Sequence, residues 1–162
     1  STRRYTLFPY TTLFRSLENL VQDLDSVSDN KGMRINFQKD LDEQRRKLYP
    51  SMTKMVFGNI LRNALNYSQG TEIDVILQKN TVLIADNGVG IPLPNNSKVQ
   101  ELSGQQLQLE IKGHGIGLQL VQKLCKQLGW RVELFDRQFY LNTHQDVDLA
   151  MTTGLIVVVY LK

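Results

Sequence analysis

The sequence predicts an α+β fold, a two-layer α/β sandwich in which three helices cover one face of a mixed sheet of about five strands. Three segments carry apolar residues at helical spacing, and five shorter segments are continuously apolar or alternate as strands do. The 162 residues are enough for one domain with a substantial core. The segments are predicted in the order helix, strand, helix, strand, strand, loop, helix, strand, strand.

The first half of the chain contains two of the helices and one strand. Residues 17–27 carry an apolar stripe with helical periodicity. Residues 33–38 alternate apolar and polar side chains, which predicts a half-buried strand. Pro50 and Ser51 supply a helix start, and Gly70 supplies a stop for the helix predicted over 51–67.

The second half contains the other strands, a long loop and the third helix. The strands are predicted over 72–78, 81–85, 130–135 and 154–161. Prolines, glycines and polar residues fill positions 87–114, which predicts a loop of the length that is usually functional or disordered. The helix predicted over 116–128 has one apolar face and Gly129 as its terminator.

Composition excludes several classes of protein. A formal net charge of +3 suits an anionic ligand, but the lysines and arginines are dispersed, so no nucleic-acid partner is expected. A single cysteine, Cys125, excludes an internal disulfide framework and favours a reducing, cytoplasmic compartment. The longest apolar run, 155–161, is far shorter than the about 20 residues that cross a bilayer, so no membrane contact is expected.

The first sixteen residues differ from the rest of the chain. Residues 1–16 lack helical or strand periodicity, and their segment PYTTLFRS resembles a translated sequencing adapter. We therefore predict a non-native or disordered leader over 1–16 and one folded domain over 17–162. A native strand or arm that docks on the domain is the alternative.

Three asparagines share one strip of the second helix. Asn59, Asn63 and Asn66 lie along one edge of its apolar half, and Tyr67 lies beside Asn63. Asparagine is a mediocre helix former, because its amide competes for backbone hydrogen bonds. The strip is either a solvated polar edge or a site where amide oxygens bind Mg²⁺ and amide nitrogens donate to phosphate. The helix alone leaves both interpretations open.

A first glycine loop follows the strand predicted over 81–85. Asp86 stands at the strand end, and Gly88 and Gly90 permit a tight turn that approaches a ligand. A partly buried carboxylate needs a donor, and the exocyclic amine of a base could be that donor. The alternative is an Asp-Asn-Gly turn between two elements.

A second glycine loop runs directly into the third helix. Gly113, Gly115 and Gly117 alternate with other residues and leave backbone N–H groups uncovered at a helix start, which suits phosphate. The spacing matches neither the dinucleotide fingerprint nor the P-loop. His114 alone is more typical of a loop residue than of a catalyst, and no His/Cys cluster has the spacing of a metal site.

Taken in order, these three segments resemble the N, G1 and G2 boxes of the catalytic domains of sensor histidine kinases. That family shares the Bergerat ATP-binding fold with type II topoisomerases, mismatch-repair ATPases and one class of heat-shock chaperones. The resemblance covers residues 17–162 and implies ATP and Mg²⁺ as cofactors. It implies that Asn63 ligates Mg²⁺, that Asn59 supports the phosphate–metal region, and that Asp86 accepts from the adenine amine.

The resemblance also implies the rest of the site. Residues 92–112 correspond to the ATP lid, from which Lys112 could supply a cation that many members carry where Asn66 stands. The implied catalytic residues are Asn59, Asn63 and Lys112. The implied cofactor-binding residues are Asn63, Asn66, Tyr67, Asp86, Gly88, Gly90, Ile91, Gly113, His114, Gly115, Ile116, Gly117 and Leu118.

The function implied by the resemblance is transfer of the γ-phosphoryl group. Hydrolytic relatives place a glutamate where Asn59 stands, and a neutral amide cannot take a proton from water. The implied acceptor is a histidine on a separate dimerisation domain, with a response regulator as an indirect partner and an inner-membrane sensor as parent. The alternative is a nucleotide-binding module without transfer activity, since the lid lacks phenylalanine and Gly154-Leu155 replaces a common Gly-Thr pair.

Overall fold

The computed structural model describes residues 13–39, 48–90, 99–101 and 115–162. The helices in these ranges are α1 (Leu13–Asp23), α2 (Asp25–Asn30), α3 (Pro50–Tyr67), α4 (Gly115–Leu128) and α5 (Arg137–Thr143). The strands are β1 (Arg34–Lys39), β2 (Glu72–Leu77), β3 (Thr81–Asp86), β4 (Val99–Glu101), β5 (Arg131–Asp136) and β6 (Leu155–Tyr160).

The strands form one mixed sheet in the order β1-β2-β3-β6-β5-β4. The β1–β2 pair is parallel, and every other pair is antiparallel. The predicted α+β class with a mixed sheet is confirmed, with six strands in place of about five. The added strand, β4, lies inside the predicted lid and pairs with β5, where Val99 is opposite Phe135.

Helices α1, α3 and α4 pack together on one face of the sheet, as the sequence predicts. Their apolar stripes meet the inward side chains of the strands in one large core, in which Leu17, Phe57 and Val121 are at most 1% exposed. Each such side chain contributes about 1.5–3 kcal/mol through burial. This face therefore supplies most of the stabilising apolar contact.

Helix α5 covers the opposite face of the sheet. Its Tyr140 packs edge-on against Phe135 of β5, with ring centroids 4.7 Å apart. Asp136 caps the start of this helix, since its carboxylate accepts a hydrogen bond of 3.0 Å from the backbone N–H of Phe139. A smaller second core thus lies behind the sheet.

Helix α1 begins four residues before its predicted start. Leu13 continues the apolar stripe of the helix, and its side chain is only 1% exposed. Residues 13–16 of the predicted leader therefore belong to the first turns of α1, while residues 1–12 lie outside the described residues. The non-native leader stays a prediction. Within the described ranges, every helix is too short or too polar to cross a bilayer.

Candidate functional site

A cleft opens between α3, the ends of β3 and β6, and the first turns of α4. Its empty space, with the open solvent at its mouth included, is about 440 Å³. The residues that line it are Ile60, Asn63, Ala64, Tyr67, Ser68, Ile84, Asp86, Gly90, Leu118, Leu155 and Val157.

Five residues that the sequence singled out meet in this cleft. They are Asn63, Tyr67, Asp86, Gly90 and Leu118. The helix strip, the first glycine loop and the third helix therefore converge on one space, although they are far apart in the chain.

Apart from Leu118, the apolar walls of the cleft were not predicted as site residues. Ile60 and Ala64 are one helical turn apart on α3, and Ile84, Leu155 and Val157 come from the adjacent strands β3 and β6. Apolar residues at these spacings are predicted to lie in the core. Helical spacing could have identified two of them. Ile60 and Ala64 stand three residues before Asn63 and Tyr67, and residues three apart are neighbours on the surface of a helix.

Asp86 is the buried acid of the cleft, with 5% of its surface exposed. Its Oδ1 accepts hydrogen bonds from the backbone N–H groups of Gly88 at 2.9 Å and Leu155 at 3.3 Å. Burial raises the pKa of Asp86 above its ordinary value of 3.8, although both hydrogen bonds and the charge of Arg137 lower it. No donor from the described part of the chain reaches Oδ2, so the carboxylate keeps acceptor capacity for a ligand.

The first glycine loop packs directly against the end of α3. A Cβ atom on Gly88 would overlap the carbonyl oxygen of Ser68, and the N–H of Val89 donates to that same oxygen at 2.9 Å. Gly90 has a φ of +78°, a value that side-chain-bearing residues rarely adopt. Glycine is therefore required at both positions, for close approach at Gly88 and for backbone conformation at Gly90.

Asn87 fastens the same loop to the start of β2. Its Oδ1 accepts from the N–H groups of Thr71 at 2.8 Å and Glu72 at 2.9 Å. Its Nδ2 donates to the hydroxyl oxygen of Thr71 at 2.9 Å. The loop beneath the cleft is thus held by side-chain bonds as well as by its backbone.

The three asparagines of the helix strip have different surroundings. The Nδ2 of Asn63 is buried and has no hydrogen-bond partner among the described residues. The Nδ2 of Asn59 donates to the carbonyl oxygen of Met55 at 2.7 Å, within its own helix. Asn66 is exposed, and neither Asn59 nor Asn66 lines the cleft. The roles predicted for Asn59 and Asn66 stay predictions.

The amide of Asn63 keeps a donor that no described residue uses, on a side chain that lines the cleft. A buried donor without a partner costs about 1–3 kcal/mol, and an anionic oxygen in the cleft would remove that cost. The other buried polar atom that lacks a partner in the described ranges, Oγ1 of Thr53, is outside the cleft lining. The residues present therefore fit a phosphate-bearing ligand at Asn63 and an amine at Asp86.

The second glycine loop is only partly described. Ile91, Lys112, Gly113 and His114 lie outside the described residues. Gly115, Ile116 and Gly117 form the first turn of α4, where backbone N–H groups lack partners in the helix. Among the residues that the structure describes, no group of three or more His, Cys, Asp or Glu side chains could hold a metal ion. A bound Mg²⁺ would accordingly depend on ligand oxygens together with Asn63.

A family model matches most of the chain. The model described as "Histidine kinase-, DNA gyrase B-, and HSP90-like ATPase" matches residues 50–162. This range begins with α3 and includes both glycine loops. It therefore contains every predicted site residue.

Similar proteins include two bacterial sensor kinases. The chain is 26% identical to sensor protein QseC of Escherichia coli over 118 residues, which is 72% of this chain and 26% of QseC. It is 27% identical to sensor protein kinase GraS of Staphylococcus aureus over 142 residues, which is 83% of this chain and 40% of GraS. The chain thus corresponds to less than half the length of these relatives.

A solved structure has the same fold. Full-length ShkA in complex with AMPPNP superposes with a TM-score of 0.65 at 14% identity, over 93% of this chain and 30% of that one. At this identity the likeness establishes the fold alone. The cytoplasmic segment of histidine kinase QseC has this fold too, with a TM-score of 0.65 at 20% identity over 94% of this chain and 76% of that one.

Proposed function

Since the chain belongs to the family of histidine kinase-, DNA gyrase B- and HSP90-like ATPases, we propose that it binds ATP with Mg²⁺ in the cleft and transfers the γ-phosphoryl group to a histidine on a separate dimerisation domain. Membership confirms the resemblance seen in the sequence. The observation that carries the proposal is the pairing, in one apolar cleft, of a buried carboxylate and a buried amide that both lack a full set of partners.

The carboxylate end of the cleft suits adenine. The exocyclic amine of the base donates to Oδ2 of Asp86, while Oδ1 keeps its two backbone bonds. The flat apolar base lies between side chains such as Ile60 of α3 and Val157 of β6. A buried acceptor between apolar walls discriminates strongly between bases, because a base without the amine leaves the acceptor unpaired.

The amide end of the cleft suits the phosphates. Asn63 contributes its amide, and we assign Lys112 and the N–H groups of Gly113, Gly115 and Gly117 to the same chain of phosphates. When bound, Mg²⁺ neutralises negative charge on the phosphates and holds them in line with an acceptor. Asn63 offers the amide oxygen that would hold the ion.

Transfer to histidine fits this site better than hydrolysis does. Asn59 cannot act as a general base, because a neutral amide does not accept a proton at pH 7. In phosphoryl transfer, the acceptor imidazole nitrogen bonds to the γ-phosphorus while the bond to the bridging oxygen of ADP breaks. The domain then contributes position and charge stabilisation, which an amide and backbone N–H groups can supply.

The biological setting is proposed from the relatives. QseC and GraS are sensor proteins, and the chain matches 26% and 40% of their lengths. We propose that the chain is the cytoplasmic catalytic segment of such a sensor. Its direct partner is the histidine-bearing dimerisation domain, and a response regulator receives the phosphoryl group afterwards.

Two measurements test the proposal. Titration of a fluorescent ATP analogue should show saturable binding that strengthens when Mg²⁺ is added. The chain is then mixed with a histidine-bearing helical domain from a related sensor and with ATP labelled at the γ-phosphate. Acid-labile label on the helical domain supports the kinase, binding without transfer favours a nucleotide-binding module, and absence of binding contradicts both.

A further inference from the structure

A buried arginine reaches the main chain of Asp86 from behind the sheet. Arg137, the first residue of α5, is only 2% exposed, and α5 packs on the face opposite the cleft. Its Nη1 donates to the carbonyl oxygen of Asp86 at 2.9 Å. Its Nε and Nη2 donate to the carbonyl oxygen of Ala150 at 3.1 and 3.0 Å. The guanidinium thus joins the end of β3 to the segment that leads into β6.

A second path connects Arg137 to the carboxylate itself. The backbone N–H of Arg137 donates to the carbonyl oxygen of Gly154 at 3.0 Å. The same peptide group presents the N–H of Leu155 to Oδ1 of Asp86 at 3.3 Å. Gly154 lies so close to β3 that a Cβ atom there would overlap the carbonyl oxygen of Asp86. Arg137 therefore contacts both the main chain of Asp86 and the peptide that orients its side chain.

The charge of Arg137 is balanced by acidic groups around it. Burial lowers the pKa of Arg137, while the carboxylates of Asp74, Asp86 and Glu72 raise it. Asp74 is itself 8% exposed and accepts a hydrogen bond of 3.1 Å from Nδ2 of Asn36. A buried guanidinium with charged neighbours is stable in one position only when its donors are also used, and here three of its nitrogens are bonded.

We propose that Arg137 is a positioning residue for base recognition, which fixes the direction of the Asp86 carboxylate although it lies on the other side of the sheet from the nucleotide. The inference rests on the proposed function, in which Asp86 accepts from the adenine amine. The side chain of Arg137 acts through its bond to the carbonyl oxygen of Asp86. The bond to Gly154 comes from the backbone N–H of Arg137 and is kept in every variant. Selectivity between bases thus depends on a residue that does not touch the base.

The test compares ATP with inosine triphosphate, which carries a carbonyl oxygen where adenine carries its amine. Dissociation constants are measured for both nucleotides with the wild-type chain, Arg137→Met and Arg137→Lys. We expect the wild type to prefer ATP. In both variants the ratio of the dissociation constant for inosine triphosphate to that for ATP should fall on the order of threefold to tenfold. This is the contribution of one well-placed hydrogen bond. Lysine keeps the positive charge but lacks the planar group that bonds to the carbonyl oxygens of Asp86 and Ala150 together. Arg137→Lys therefore separates the effect of hydrogen-bond geometry from the effect of charge.

Asp74→Asn is the matched control. It alters the same buried charge cluster but leaves both bonds from Arg137 to the Asp86 region in place, so its ATP preference should equal that of the wild type. Thermal unfolding identifies variants that do not fold, and if Arg137→Met fails to fold, Arg137→Lys alone decides. An unchanged preference in the folded Arg137 variants overturns the inference. A wild-type chain that binds neither nucleotide overturns the proposed function as well, which distinguishes the two failures.

Discussion

The backbone N–H of Leu155 lies 3.3 Å from Oδ1 of Asp86, so the first residue of β6 holds the carboxylate at the end of β3. Because the bond comes from the main chain, it does not depend on the side chain at position 155. The leucine side chain adds an apolar wall to the cleft, where the threonine of the common Gly-Thr pair would place a hydroxyl group. The pair therefore joins the carboxylate that we propose for base recognition to an apolar wall of the cleft.

Asp86→Asn should lower the affinity for ATP without lowering the free energy of unfolding. The amide can still accept from Gly88 and Leu155, but it offers donors where the adenine amine needs an acceptor. We expect ATP affinity to fall by on the order of tenfold to a hundredfold, the worth of a hydrogen bond to a charged group. The free energy of unfolding without nucleotide should not fall, because burial disfavours the ionised carboxylate and raises its pKa.

Fluorescent ATP titration and urea denaturation of the same preparations measure both effects. Wild-type affinity in the variant would contradict the role of Asp86 in base recognition. A loss of several kcal/mol in stability would instead indicate that the carboxylate mainly holds the fold.

Affinity and stability should respond to acid in opposite directions. The folded-state pKa of Asp86 is above its ordinary value of 3.8. The stability from this group is therefore complete below that value and is lost as pH rises through the folded pKa. In the proposed site ATP binding needs the carboxylate, so affinity should fall as pH is lowered through the same folded pKa. The comparison with Asp86→Asn, from neutral pH downward, isolates this group; identical pH profiles would reject the assignment.

Asn63→Ala should abolish the strengthening of ATP binding by Mg²⁺. The buried Nδ2 of Asn63 makes no bond to a described residue, and alanine is the better helix former. The free energy of unfolding without ligand should thus stay level or rise by up to about 1 kcal/mol. Asn142→Ala makes the same replacement at an exposed position of α5 and should keep the Mg²⁺ effect. Equal Mg²⁺ dependence in the two variants would refute the metal role.

Gly88→Ala should destabilise the fold more than a glycine replacement in open space. The added methyl group would overlap the carbonyl oxygen of Ser68, so α3 or the loop must shift, at a cost of about 2 kcal/mol or more. Gly32→Ala is the control, since Gly32 has a φ of +65° and no atom within 4 Å of an added Cβ. It should cost only about 1 kcal/mol, from backbone conformation. Denaturant unfolding compares the two, and equal costs would argue against close packing at Gly88.

Periodicity and motif chemistry explain what could be predicted. The apolar stripes of α1, α3 and α4 identify these helices, because residues on one helical face must share one environment. Asn63 and Asp86 drew attention because three asparagines share one helix strip and an acid ends a strand before two glycines. Their roles were implied by the resemblance to sensor histidine kinases. Both then proved to line the same cleft.

Two features of the structure could not be predicted from apolar periodicity or from a motif. Strand β4 has three residues, too few to show alternation. Arg137 acts on main-chain carbonyl groups of Asp86 and Ala150, and every residue carries such a group, so no side-chain pattern marks its partners. Its helix, α5, has apolar residues next to one another rather than at helical spacing, and the chain around it reads as a polar connector.

The position of β6 has a consequence for synthesis on the ribosome. This strand emerges after the other five described strands, yet it lies between β3 and β5. A nascent chain that has reached only β5 carries two separate pieces of sheet, and its Asp86 lacks the N–H of Leu155. The sheet is continuous, and the cleft has its walls Leu155 and Val157, only once β6 has paired with both β3 and β5.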